Sequence, residues 1–152
     1  MTVVFDINNH EELLRLLFTL SPETKPLWGK MKAQQMIEHL IIQVEYTNGK
    51  KTPTLDCSLE EAQHQKQRLI YGDAEISRNI VMEALPDHFT HPDIATAAKQ
   101  LVEELEAFDL YFSTPGKTEI HGGFGAMTHQ EWLIWHGKHF THHLKQFGLL
   151  PE

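Results

Sequence analysis

Four histidines, His136, His139, His142 and His143, fall within eight consecutive positions of a chain that holds 11 histidines in 152 residues. Imidazole ligates transition metals and exchanges protons near neutral pH, so a cluster of this kind points to a metal site or a proton-transfer site. A solvated, His-rich helix face is the bland alternative, and placement on the helix decides between them. With Trp132 as zero and about 100° per residue, His136 lies at roughly +40°, His139 at roughly −20° and His143 at roughly +20°. Phe140 and Phe147 share that side, and Lys138 and Lys145 take the opposite one. The imidazoles therefore line the stripe that faces a core.

A buried imidazole without a hydrogen bond costs about 1–3 kcal/mol, so these rings require partners: one another, polar side chains, water or a metal. Residues four apart on a helix stack about 6 Å from each other, which lets both imidazoles of His139 and His143 reach one cation at about 2.0–2.1 Å if it is zinc. His136 with His139 is the competing pair on spacing alone. A third ligand has to come from a facing helix. His39 is the candidate, at the flank of the Met36, Ile37, Leu40 and Ile41 stripe, where a side chain can turn inward.

Other residues carry weaker signals. His136 is readable as a ligand neighbour, a proton-transfer group or a hydrogen-bonded core histidine, and His142 as interfacial or surface. His121 precedes Gly122-Gly123-Phe124-Gly125 and reads either as a proton-transfer group or as a loop histidine before the next helix. That glycine cluster lacks the lysine and preceding strand of a phosphate loop. Glu38 and Gln35 flank His39 and are candidates to orient a ligand imidazole through its other nitrogen. Cys57 stands beside Asp56 without a basic partner, a poor setting for a nucleophile. Trp28 reads as packing under the loop before the second helix.

The elements that must position these residues are helices. The first is expected over about 9–20, with Leu13, Leu14, Leu16, Leu17 and Leu20 apolar, ending before Ser21-Pro22. The second covers about 32–47 and stops at Asn48-Gly49. Ser58 with Glu61 reads as a capping box that opens a helical stretch, which Tyr71-Gly72-Asp73 interrupts, and 50–92 is the least legible region. A third long helix runs from about Asp93 to Phe112, with Ile94, Ala97, Ala98, Leu101, Leu105 and Phe108 as its buried stripe. The last lies between the capping box of Thr128 and Glu131 and a C-terminal Gly148. Helix after helix with almost no strand-like alternation predicts an all-α, antiparallel four-helix bundle. It would have a longer crossover in the middle, room for extra short helices, and one domain over 1–152.

Bulk properties exclude some functions. A net charge of −8 with histidines neutral, and no cluster of Lys and Arg, argues against nucleic acid as a partner. No apolar run is long enough for a membrane span, the start lacks the pattern of a secretory signal, and one cysteine makes no internal disulfide. Cytoplasmic residence is the expectation.

Two blocks carry a resemblance. WGKMKAQQMIEHL (Trp28 to Leu40) and HGGFGAMTHQEWLIWHGKHFTHHLKQFGL (His121 to Leu149) resemble the signature regions of the DinB/YfiT-like superfamily, and within it an uncharacterised subfamily with a W-G-K-M-x-A-x-Q-M-x-E-H run. The resemblance implies a four-helix bundle holding one divalent metal through a histidine of the second helix and an H-x-x-x-H pair of the last, followed by x-x-Q. His39 matches the first position, and His139 with His143 the pair, which resolves it against His136/His139. Gln146 stands at the offset of the glutamine. Leu144-Lys145 departs from the Arg-Gly often found there, and Gly122 replaces a usual proline.

The implied activity is metal-dependent hydrolysis or transfer involving a low-molecular-weight thiol and a small-molecule substrate, with His136 or His121 handling protons. Zinc or nickel comes first as the ion, with iron, manganese and copper as alternatives. The competing expectation is a non-catalytic metal-binding or interaction protein that acts as a homodimer.

Overall fold

The computed structural model describes residues 3–78 and 88–152. It is helix-rich, with α1 at His10–Leu17, α2 at Ala33–Glu45, α3 at Leu59–Lys66, α4 at Ile94–Tyr111 and α5 at His129–Gln146. α1, α3, α4 and α5 each start where a capping side chain satisfies a free amide group. Asn9 accepts from the Glu12 N–H at 3.1 Å, Ser58 from Glu61 at 3.1 Å and Asp93 from Thr96 at 2.7 Å. The box at the start of α5 is reciprocal: the Thr128 N–H donates to Glu131 at 3.0 Å and the Glu131 N–H to the Thr128 hydroxyl at 3.3 Å.

The helix ends have equally local causes. α1 stops at Leu17, short of Leu20, because the Thr19 hydroxyl and N–H both take the Leu16 carbonyl, at 2.6 and 3.1 Å, and tighten the last turn. Gly148, at φ 71°, adopts the left-handed conformation that closes α5, with its N–H on the Lys145 carbonyl at 3.0 Å. After α3 the chain widens into a π-helical turn over Gln67–Tyr71. The Lys138 ammonium of α5 reaches over and donates to the carbonyls of Leu69 and Gly72 at 2.6 and 3.1 Å.

The all-α expectation needs one correction. Thr118–His121 (β1) and Gly125–Thr128 (β2) form an antiparallel two-stranded sheet, with Thr118 opposite Thr128 and His121 opposite Gly125. The segment expected as a glycine loop is thus a hairpin. Its second strand alternates, Gly125 and Met127 buried and Ala126 and Thr128 exposed, which is the period-two pattern of a half-covered strand.

One contiguous core joins the helices. Leu13, Leu17, Met36, Ile37, Leu40, Val44, Leu101, Leu105, Phe108, Phe140 and Leu144 are all at or below 1% exposure. α2 packs on α4 and α5, and α1 on α4. Among the described residues no helix is long and apolar enough to cross a membrane.

Candidate metal centre

The α2–α5 packing sets His39 against the last helix. Buried Leu40 and Ile41 anchor α2 in the core and leave His39 half-buried at its edge. On α5, Trp132, Phe140 and Leu144 hold the helix orientation, which sends His139 and His143 inward at 6% and 7% exposure. The three Nε2 atoms converge. His39 Nε2 lies 3.2 Å from His139 Nε2, which lies 3.1 Å from His143 Nε2, and all the ligand atoms fall within 4.8 Å of one another.

These spacings fit a shared ion. With bonds of about 2.0–2.1 Å, two imidazole nitrogens on one cation stand roughly 2.9 Å apart at a right angle and roughly 3.4 Å apart at the tetrahedral angle. The two close contacts fall inside that range, so these histidines are near enough to hold a metal ion. Their electrostatics point the same way. Burial, helped by the neighbouring His142, pushes His39 down to about 4. Burial and the facing His39 push His143 to about 3, against the opposing pull of Gln146. Burial, with His143 and His39 next, drives His139 well below the usual imidazole range. Neutral imidazole is the form that binds a metal.

One of the three histidines has its tautomer set by its surroundings. The Gln146 amide nitrogen donates to the Trp28 carbonyl at 3.1 Å, a group that only accepts. The amide oxygen is thereby turned to His143 Nδ1 at 2.8 Å, which must carry the proton. His143 Nε2 is left with its lone pair free on the side of His139 Nε2, 3.1 Å away. Gly29, at φ 78°, makes this approach possible: a Cβ there would meet the Gln146 amide nitrogen at 3.1 Å. His139 is held differently, stacked on Trp135 at 5.5 Å and 15°, with its buried Nδ1 unpartnered among the described residues.

The other sequence candidates lie elsewhere. His136 is fully buried between Trp132 and Phe108, with Nε2 3.1 Å from the Thr47 hydroxyl. That hydroxyl already donates to the Val44 carbonyl at 2.7 Å, so His136 Nε2 carries the proton and Nδ1 keeps an unshared lone pair. Burial, with His121 second, lowers His136 to about 3. His121 stacks on Phe124 at 4.0 Å and accepts the Gly123 N–H at 2.9 Å, while Trp135 stands between it and His139, touching both rings. Burial lowers it to about 4 against the pull of Asp56.

Glu38 has its hydrogen bonds to Gln34 and to the segment before α4. Its carboxylate accepts from the N–H groups of Thr90 at 2.8 Å and His91 at 3.0 Å and from Gln34 at 3.0 Å, so it braces the segment before α4 rather than a ligand. Gln35 accepts the Lys32 N–H at 2.8 Å as part of the α2 cap. Cys57 is half-buried, with its thiol 3.8 Å from the carbonyls of Gly122 and Gly123. Sequence reasoning missed the Trp28 carbonyl and the Thr47 hydroxyl. The first acts through a backbone atom 118 residues from its partner and the second through a residue 89 away, so neither leaves a local signal. In comparisons with known proteins, no family model, no curated protein and no solved structure matched this chain.

Proposed function

We propose that the chain is a DinB/YfiT-like protein that binds one divalent transition metal through His39, His139 and His143 and uses it on a small-molecule substrate. On this reading α1, α2, α4 and α5 are the antiparallel four-helix bundle, with α3 and the hairpin in its connections. The observation that supports the proposal is the gathering of three imidazoles, with His139 Nε2 at metal-sharing distances from the Nε2 atoms of both His39 and His143, all ligand atoms within 4.8 Å of one another, and the proton of His143 held on Nδ1 by Gln146. Zinc or nickel suits a set of three neutral imidazoles, with iron, manganese or copper as alternatives.

Three protein ligands leave coordination positions open, and an ion so held lowers the pKa of a coordinated water toward about 7 or activates a thiol. The reaction class is therefore metal-dependent hydrolysis or transfer to a low-molecular-weight thiol, in the cytoplasm. The protein's own contribution is the neutral, pre-aimed ligand set. The half-buried edge of His39 is the approach for the substrate. His121, with Trp135 between it and His139, and His136, buried between Trp132 and Phe108, act on packing more than on protons.

A structural ion in a homodimer is the second reading, favoured by the deep burial of His139 and His143. Assay of the metal-loaded protein against ester and thiol-acceptor substrates separates them. Turnover that disappears with chelator and returns with metal supports the enzyme. A chelator-sensitive melting temperature with no turnover in any metal form supports the structural ion.

A further inference from the structure

The guanidinium of Arg78 lies 4.0 Å over the ring of Trp28. Trp28 is tied to the ligand His143 twice: its carbonyl holds Gln146, which bonds His143, and its ring meets His142 edge-on at 5.5 Å, which meets His143 at 5.0 Å. Stacking on an aromatic face fixes the guanidinium plane and leaves its N–H edge free to fork onto a carboxylate. A carboxylate already stands there. Arg78 Nη2 is 2.5 Å from Glu152 Oε1, and both side chains are about half exposed, at 53% and 52%. An exposed ion pair of this kind adds little to stability, so a competing carboxylate can replace it. The same corner has an unused donor, because the Trp28 indole N–H is buried without an acceptor among the described residues.

Resting on the metal reading above, we infer that Arg78 on its Trp28 platform is the specificity determinant of the site. It selects two-headed ligands whose one end coordinates the metal and whose other end is a carboxylate, and Glu152 holds the place of that carboxylate in the free protein. In a chain of net charge −8, an uncompensated anion would otherwise be repelled, so a fixed cation beside the ligand set decides which small molecules stay.

The test uses cobalt-loaded protein, whose visible spectrum reports on coordination. The probes are acetohydroxamate, which is uncharged beyond its metal-binding head, and the monohydroxamates of dicarboxylic acids from succinic to suberic. The wild type should bind one of the carboxylate probes at least tenfold more tightly than acetohydroxamate, with a preference that peaks at one chain length. Arg78→Gln should bring the ratio to near one without changing acetohydroxamate binding, and Glu152→Gln should raise the ratio severalfold. The opposed directions of the two variants exclude a general loss of folding as the cause. A wild-type ratio near one at every length, or a ratio that survives Arg78→Gln, overturns the role of Arg78 while the metal reading stands. Failure of cobalt to bind overturns both.

Discussion

Gln146 and His143 are one helical turn apart on α5, and the amide oxygen of the first meets Nδ1 of the second at 2.8 Å. Because the other end of the amide is committed to the Trp28 carbonyl, this contact places the proton on the outward nitrogen of His143 and frees the inward one. A loop residue thereby reaches the inward nitrogen of His143 through two hydrogen bonds. Replacing Gln146 by Leu removes that control, and metal affinity should fall about 10- to 100-fold, the usual cost of losing an outer partner of a ligand histidine. Competition with a chromophoric chelator measures it. Gln146→Glu retains an acceptor for Nδ1–H but loses the donor to the Trp28 carbonyl, and should lose less affinity than Gln146→Leu. Equal loss in both variants would contradict the tautomer argument.

Acid should destabilise the metal-free protein in a window above that of ordinary carboxylates. His39 and His121 are lowered to about 4 and His136 and His143 to about 3 in the folded chain. The unfolded chain takes up these protons near 6.5, so between about 6.5 and 4 it binds more protons than the native state. Native stability is then full above pH 6.5 and falls as pH drops through that window. Urea midpoints measured at half-unit steps should decline already between pH 6.5 and 5, where carboxylates are still ionised. A flat profile down to pH 5 would show that the buried imidazoles are not protected from protons.

His136 is a test of what a core histidine does. Thr47→Val leaves its Nε2–H without an acceptor and should cost about 1–3 kcal/mol of stability. Adding His136→Phe to that variant removes the stranded donor and should recover part of the loss. Chemical denaturation of the two variants checks this, with metal stoichiometry unchanged in both. Loss of metal on replacing His136 would return it to the ligand set.

Glu38, despite its place next to His39, should matter only to the segment it braces. Thr90 and His91 donate to separate oxygens of the carboxylate, so Glu38→Gln keeps an acceptor for only one of them and loses the charge, and stability should drop by about 1–3 kcal/mol. Metal affinity should stay as it was. A tenfold weaker affinity, read by the same chelator competition, would mean that the carboxylate acts on His39 after all.

Much of the site was legible because it rests on periodicity. The helical repeat put His139 and His143 on the face of Trp132 and Phe140, and the flank position of His39 beside Leu40 put it at the edge of the same core. Helix limits were readable within a few residues because Asn9, Ser58, Asp93 and Thr128 cap by short-range hydrogen bonds. The hairpin was not readable: its strands span four residues each, too few for alternation to stand out, and Gly122-Gly123 reads as loop in either case. The partners of Glu38 were hidden for a related reason. Adjacency in sequence says nothing about direction on a helix, where neighbours point about 100° apart and the carboxylate turned to Thr90 and His91.

Metal content by elemental analysis, on the wild type and on single alanine variants reconstituted in parallel, decides whether His39, His139 and His143 hold an ion. One ion per chain is expected in the wild type and after His121→Ala or His136→Ala, and less than a tenth of an equivalent after His39→Ala, His139→Ala or His143→Ala. A full equivalent retained by folded His39→Ala protein, or no ion in the wild type under any divalent metal, would contradict that assignment.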